Sequence, residues 1–571
     1  DAARQVSLGA SSKIESTYAT DLTAFDAIVL RGNRRLTGDA GSLSGIDFAA
    51  GSIVRTAAGG AGAIDISGRG GTTLGHGIAM VATATIESLG SGDITLTGEA
   101  VNSVSNYSGI FIGGGSAISS VNGDIEVTAL SAGAAGNYPA LYVLGGTSAT
   151  IQSTGTGDIS LQGTRTTGDG EGVWIGLAGA KVQTASGNID ITAAAAVSTR
   201  DAIRLGASGQ VLTMAGGDIT IEGSATTGGV GKDVGTLASS VLGGANTGDI
   251  TINADTVSFA GTTTGVGTLT FQPRTNGRSI GIGTGAGDLN ISAATLGTIT
   301  NGFAEIVIGN ADAGAITVGN GISAFTDNLR LESAGALAID GTFSTGSNRL
   351  TLDIAGATSQ TAAITADKLL LLNATGAYTL TNAANAIGTL AGDTGTITLT
   401  HGGSGNLTVG TIDTTAGIDA TSVAITTTQT IAGLIFNQDV TTTGAQTYGA
   451  PGTITVNAGA DLAVSGKATL ALTAGARILL SGGNNAFTRL GWRAERCWVG
   501  VASELGCGVG VATTQDVTRG LPGSSVWSFG NAGFFARLID PVQENFPYEF
   551  RAGQPLDLGL AFVATCGGVD I

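Results

Sequence analysis

One short pattern recurs about every 31 residues between Gly45 and Ile252, a period typical of solenoid proteins. Each copy contains three short segments in which apolar and polar residues alternate, and Gly-rich turns separate the segments. Alternation with a period of two is typical of β-strands. The first segments of successive copies carry the apolar pairs Ile46/Phe48, Ile78/Met80, Ile110/Ile112, Leu141/Val143, Val173/Ile175 and Ile203/Leu205.

The second and third segments repeat with the same regularity. The second is marked by Val54, Ile86, Ile118, Ile151, Val182 and Val211. The third, usually preceded by Gly-Asp or Gly-Asn, is marked by Ile64/Ile66, Ile94/Leu96, Ile125/Val127, Ile159/Leu161, Ile189/Ile191, Ile219/Ile221 and Ile250/Ile252. Stacking the copies about 4.8 Å apart would pair each backbone with the next. The sequence therefore predicts an all-β parallel β-helix, and the general crossover rule favours a right-handed coil.

The regularity of the pattern divides the chain into four parts. We predict an N-terminal lead-in or cap over residues 1–44, regular rungs over 45–257, a less regular β-helix over 258–491 and a non-repeat segment over 492–571. This last segment holds all three cysteines and is interpreted either as a cap or attachment module or as the altered end of a longer repeat protein. The chain starts at Asp1 rather than Met, which indicates a processed protein or a fragment.

Composition narrows the classes of partner. The chain has 43 acidic and 25 basic residues and a formal net charge of −18, which disfavours nucleic acids and anionic lipids. The 96 glycines do not indicate disorder, because 42% of the residues are hydrophobic and spaced as strands require. No run of about 18 apolar residues is present, so we expect no transmembrane helix.

The second half of the repeat region resembles a known family in the sequence pattern of its repeats. The segments that carry the likeness are Thr268–Pro273, Ile306–Val318, Asn382–Leu390 and Leu407–Ile412. They are similar to the filamentous haemagglutinin-like exoproteins and adhesins of bacteria, which leave the cell by two-partner or autotransporter secretion. The resemblance covers roughly residues 45 to 490 and concerns the style of the repeat. It implies a right-handed β-helical fibre outside the cell and a secretion partner in the outer membrane.

Three aromatic residues occupy the outward position of the first segment in consecutive copies: Phe111, Tyr142 and Trp174. Stacked rungs would align them as an exposed aromatic ladder between Ala79 and Arg204. Such a ladder is suited to stacking on sugar rings or to a partner interface. The alternative is that the rings pack on one another as strand neighbours or lie under a loop.

A row of acidic residues precedes the third segment, at Asp93, Asp124, Asp158, Asp218 and Asp249, with Asn188 interrupting it. Stacked carboxylates repel one another, so the row could bind a divalent cation such as Ca²⁺. Aspartate is also suited to closing a turn through its own side chain. The turn interpretation is favoured, because the tandem nonapeptide of calcium-binding β-rolls is absent from the sequence.

The sequence offers few groups for catalysis. Its two histidines, His76 and His401, stand in unrelated contexts and indicate neither a triad nor a metal cluster. The strongest acidic candidate is Asp169-Gly170-Glu171 with Arg165 nearby, which we interpret as a turn with solvated charges. We therefore expect no enzyme activity and no bound cofactor, calcium excepted.

These features lead to one functional expectation and two alternatives. We expect an extracellular or cell-surface shaft of a bacterial adhesin, which displays repeated contacts to a host or neighbouring cell, a glycan or copies of itself. The first alternative is a structural subunit of an extracellular filament or surface layer. The second is a β-helical enzyme acting on polysaccharides.

Overall fold

The computed structural model describes residues 4–18, 25–33, 41–101, 107–132, 137–146, 148–177, 179–196, 199–226, 230–322, 325–465 and 468–480, with short strands between residues 497 and 570. It forms two compact units. Unit 1 contains residues 1–281 and 287–309, and unit 2 contains residues 282–286 and 310–571.

Unit 1 is a parallel β-helix built from three sheets. The first sheet contains Val6–Leu8, Ile46–Phe48, Ile78–Met80, Ile110–Ile112, Leu141–Leu144, Val173–Gly176, Ile203–Leu205, Val234–Thr236 and Val257–Phe259. The second contains Lys13–Glu15, Ile53–Arg55, Thr85–Ser88, Ala117–Ser120, Thr150–Ser153, Lys181–Thr184, Gln210–Thr213, Val241–Leu242 and Thr262–Thr263. The third contains Phe25–Gly32, Gly62–Arg69, Ile94–Ala100, Ile125–Ser131, Ile159–Arg165, Ile189–Ala195, Ile219–Ala225, Ile250–Asn253, Thr268–Gln272 and Glu305–Gly309.

The strand pairing confirms the predicted fold and the predicted alignment of the repeats. Ile110 pairs with Ile78 on one side and with Leu141 on the other, both in parallel. In the third sheet Ile125 lies between Ile94 and Ile159 in the same way. All six of these side chains are fully buried, so each sheet contributes a column of aliphatic residues to the core.

The stack begins before the repeat becomes recognisable in the sequence. Val6–Leu8, Lys13–Glu15 and Phe25–Gly32 pair with the next strands of the first, second and third sheets. These three strands therefore form a rung, although they lie in the region assigned to a lead-in or cap. The apolar pattern of these strands is too irregular to align with the later copies of the repeat.

Unit 2 continues in parallel strands with shorter rungs. Leu350 pairs with Leu369, and Leu369 pairs with Leu390, a spacing of roughly 20 residues. Its strands are Ile316–Val318, Leu329–Ser333, Leu337–Ile339, Phe343–Ile354, Ala357–Gln360, Ile364–Leu372, Ala377–Leu380, Ala386–His401, Leu407–Val409, Thr411–Ile412, Thr415–Ala416, Ile418–Thr427, Leu434–Phe436, Val440–Thr442, Gln446–Ala450, Thr453–Val456, Leu462–Val464, Leu470–Ala474 and Arg477–Leu480.

The remaining elements are few. Two further strands, Ile280–Ile282 and Leu289–Ile291, precede one helix, Ala293–Leu296. The C-terminal segment predicted to be non-repeat lies largely outside the described residues; its strands are Cys497–Ser503, Gly506–Cys507, Gly510–Thr513, Ser524–Ser528, Leu560–Phe562, Thr565–Cys566 and Val569–Asp570. Within the described residues, no helix has the length and apolar character needed to cross a membrane.

The glycine before each third-sheet strand is required by the close approach of consecutive rungs. A Cβ on Gly157 would lie 2.1 Å from the carbonyl oxygen of Gly123, and a Cβ on Gly187 would lie 2.1 Å from that of Gly157. On the inner side of the same turn the Thr184 hydroxyl donates to the Gly187 carbonyl at 2.5 Å. The turn is thus fixed by a buried hydroxyl and leaves no room for a side chain.

Replacing Gly157 with alanine tests this constraint. We expect Gly157→Ala to lower the free energy of unfolding by about 1–3 kcal/mol, because the added methyl collides with the backbone of the previous rung. The measurement is urea unfolding followed by circular dichroism. Gly9→Ala is the matched control, since a Cβ there meets nothing within 4 Å. Equal effects of the two substitutions would contradict the close-approach argument.

Candidate functional site

The three predicted aromatic residues lie side by side on the outer surface of the first sheet. Phe111 is paired with Tyr142, and Tyr142 with Trp174. Ala79 precedes them and Arg204 follows them in the same row. The repeat spacing therefore placed all five residues correctly along the stack. We call Phe111, Tyr142 and Trp174 the aromatic row.

The rings pack on one another along the row, edge-on between Phe111 and Tyr142 and face to face between Tyr142 and Trp174. The Tyr142 and Trp174 centroids are 4.7 Å apart with planes inclined by 13°, and the Arg204 guanidinium lies 5.4 Å from the Trp174 centroid on the next rung. Both faces of the indole are thus covered. Tyr142 is only 6% exposed, so the expectation of an exposed ladder is wrong at this residue. A sugar ring needs a free aromatic face, and Trp174 does not offer one.

Side chains from the turns before the first-sheet strands cover the row further. The His76 ring stacks on Phe111 with centroids 5.1 Å apart, and the edge of Tyr138 packs against Tyr142 at 5.6 Å. His76 Nδ1 accepts a hydrogen bond from the Ser108 backbone N–H at 3.0 Å. Burial lowers the pKa of His76 to about 4. Sequence reasoning missed these contacts, although His76 and Tyr138 each stand two or three residues before a first-sheet strand.

The predicted acidic row forms a continuous ladder of hydrogen bonds. In each case the side-chain Oδ1 of one residue accepts from the backbone N–H of its counterpart in the next rung. The pairs are Asp93 to Asp124 at 2.9 Å, Asp124 to Asp158 at 2.8 Å, Asp158 to Asn188 at 2.6 Å, Asn188 to Asp218 at 2.9 Å, Asp218 to Asp249 at 2.8 Å and Asp249 to Thr268 at 2.6 Å.

This arrangement fits turn formation better than cation binding. One oxygen of every carboxylate is already bonded to a backbone donor, and Asn188, a neutral amide, serves in the same position. In the part of the chain that the structure describes, no group of three or more His, Cys, Asp or Glu side chains is placed to hold a metal ion. The acidic row therefore links each rung directly to the next.

The interpretation of Asp169-Gly170-Glu171 as a turn with solvated charges is wrong at Glu171, although Asp169 is partly exposed. Glu171 is 0% exposed. Its Oε1 lies 3.1 Å from Arg204 Nη1 and 3.8 Å from Arg200 Nη1. Burial raises the pKa of the Glu171 carboxyl, and the hydrogen bond from Arg204 and the nearby charge of Arg200 oppose that shift.

Arg165 lies beneath the same turn and is 2% exposed. Its Nη1 donates to the Ser131 hydroxyl at 3.0 Å and to the Tyr138 carbonyl at 2.5 Å. Burial lowers the pKa of Arg165, while Glu171 and Asp169 oppose this change. The turn is therefore held by charge and hydrogen bonding across two rungs.

The second histidine has a structural role in unit 2. His401 is 2% exposed, its Nδ1 accepts from the Ile387 backbone N–H at 3.2 Å, and its Nε2 lies 3.0 Å from the Gly405 carbonyl. Both ring nitrogens are thus used by the backbone. Among the described residues, neither histidine lies in a group of potential metal ligands.

Comparison with models of known protein families finds no match, and no curated protein or solved structure matches the chain significantly.

Asp158 provides a test of the acidic row. We expect Asp158→Ala to lower the free energy of unfolding by about 1 kcal/mol, because the Asn188 N–H loses its acceptor. Asp158→Asn retains an acceptor and should stay within about 0.5 kcal/mol of wild type. The measurement is urea unfolding with and without 1 mM calcium. A calcium-dependent rise in the free energy of unfolding that disappears in Asp158→Asn would show instead that the row binds a cation.

His76 provides a test of pH dependence. Its folded-state pKa, about 4, lies below the ordinary value of 6.5, so the unfolded chain binds the proton more readily. The contribution of His76 to stability is therefore present above pH 6.5 and is lost as the pH falls towards 4, with an upper limit of about 3 kcal/mol. His76→Asn keeps an acceptor for Ser108 but does not titrate. Between pH 4 and 7, the free energy of unfolding in urea should rise more steeply with pH for wild type than for His76→Asn. Equal dependence on pH in the two proteins would contradict the assignment.

Proposed function

We propose that the chain is a non-enzymatic extracellular shaft of a bacterial surface adhesin or exoprotein. The observation that carries this proposal is that the outward rows of unit 1 are used to bind one rung to the next. The acidic row bonds to the backbone of the following rung, and the aromatic row stacks on itself. Side chains that stabilise a regular stack have a mainly structural role.

The shaft would act by rigid display and by many weak contacts. The outer face of the third sheet presents exposed polar residues at equivalent places on consecutive rungs, as at Glu126, Ser160 and Asp190. Repetition of a weak contact along one face raises the overall affinity for a dense surface without a deep pocket. A host cell, a neighbouring cell or a surface glycan would provide such a surface. The resemblance to filamentous haemagglutinin-like exoproteins supports an extracellular location and a secretion partner in the outer membrane.

A deletion of one whole rung tests the structural core of this proposal. Removing Ile125–Asp158 joins Asp124 to Ile159 and takes one strand from each sheet. Spin labels at positions 13 and 210 of the second sheet are six rungs apart in the pairing, or about 29 Å at strand spacing. We expect the deletion to preserve folding and to shorten this distance by about 5 Å, measured by pulsed electron paramagnetic resonance after replacement of the native cysteines by serine.

The matched control removes residues 125–140 only, about half a rung, and should abolish cooperative folding because the third sheet loses a strand while the first and second sheets keep theirs, so the following strands no longer align. An unchanged distance after the whole-rung deletion would contradict the shaft. Two further measurements separate the alternatives. Concentration-dependent growth of fibres, measured by light scattering, would favour a filament subunit. Release of reducing ends from polysaccharides would favour an enzyme.

A further inference from the structure

The charges around Glu171 form a cluster that differs from the rest of the chain. Four basic and three acidic residues gather around the turns between the third-sheet and first-sheet strands, in a chain whose net charge is −18. We call them the Glu171 cluster; its members are Arg165, Asp169, Glu171, Arg200, Asp201, Arg204 and Lys232. The cluster is therefore locally positive on a protein that is otherwise strongly acidic.

Buried polar atoms in the cluster have no partner within the described structure. Glu171 Oε2 is buried and accepts no hydrogen bond, although Oε1 of the same carboxylate is close to two guanidinium groups. Arg204 Nε and Trp174 Nε1 are buried donors that are equally unsatisfied by the described residues. Leaving such atoms without partners costs free energy, so the site has unused capacity to accept and donate hydrogen bonds.

Access to this capacity depends on Arg200. Its Nε is 4.0 Å from Asp169 and its Nη1 is 3.8 Å from Glu171, which are the longest ion pairs of the cluster. About a third of the Arg200 side chain is exposed (32%), whereas Glu171 is fully covered. Arg200 can thus turn outward at the loss of two long contacts only. Lys232, half-buried, contributes a further positive charge beside Asp201.

We propose that the Glu171 cluster binds a carboxylated carbohydrate, with Arg200 and Lys232 on the ligand's carboxylate and Glu171 Oε2 accepting from a ligand hydroxyl. A guanidinium matches the planar geometry of a carboxylate, and a sugar acid supplies hydroxyl donors beside its charge. Poly-acidic peptides lack those hydroxyls, and a neutral glycan has no negative charge to place beside Arg200 and Lys232. This site goes beyond the proposed shaft, because rigid display requires no discrete ligand site.

The test uses the full chain and a polyuronate, oligogalacturonate, titrated by isothermal calorimetry at 0.15 M salt. We expect saturable binding that Lys232→Ala weakens about tenfold and that Arg200→Ala weakens by a similar factor. The control is Lys181→Ala, which makes the same change of charge on the second sheet and should leave binding unchanged. The fully methyl-esterified oligomer keeps its hydroxyls but loses its charge, and poly-L-glutamate keeps the carboxylates without the hydroxyls. Both should bind at least tenfold more weakly.

Several results would overturn the proposal. Absence of saturable binding by wild type would do so, as would equal binding of the methyl ester or of poly-L-glutamate. Equal weakening by Lys181→Ala and Lys232→Ala would reduce the effect to general charge attraction. Unfolding curves of each variant show whether the fold is intact. None of these results would contradict the shaft, because the rung deletion measures the stack independently of any ligand.

Discussion

Parallel backbone pairing between consecutive rungs is the interaction on which the rest of unit 1 depends. It brings equivalent residues of successive repeats, such as Ile110 and Leu141, to neighbouring positions about 4.8 Å apart. Every side chain must therefore tolerate its own counterpart on both sides. Aliphatic residues do so by packing into columns in the core. Charged residues on the surface would repel, unless their rows alternate in sign or use the adjacent backbone.

Both solutions are present in unit 1. On the second sheet Glu15, Arg55 and Glu87 follow one another, and Arg55 forms ion pairs with both neighbours. At the corner before the third sheet each carboxylate accepts from the next backbone N–H instead. The two residues of the Gly-Asp dipeptide thus have separate structural roles. Glycine allows the rungs to approach, and aspartate bonds them together.

The core and its register could be predicted from the sequence, because inward positions repeat with a period of two inside a period near 31 residues. The pairing of Phe111, Tyr142 and Trp174 followed from the same rule. The orientation of the rings could not be predicted, because alternation distinguishes inward from outward positions but does not show whether an outward ring is exposed or stacked on its neighbour. The burial of Glu171 also escaped prediction, because Arg200 and Arg204 approach it from the next rung and the turns between them vary in length.

A regular stack offers the same surface on every rung, so a specific ligand site can arise only where the repeat is broken. The first sheet shows such a break. Its outward row changes from Trp174 to Arg204 to Gly235 over three consecutive rungs, while the inward residues of the same strands remain aliphatic except at Thr236. Glycine removes the side chain that would cover Asp201, whose Oδ2 lies where a Cβ of Gly235 would stand. The break in the row and the unsatisfied carboxylate of Glu171 thus occur at one place, which is what a binding site on a solenoid requires.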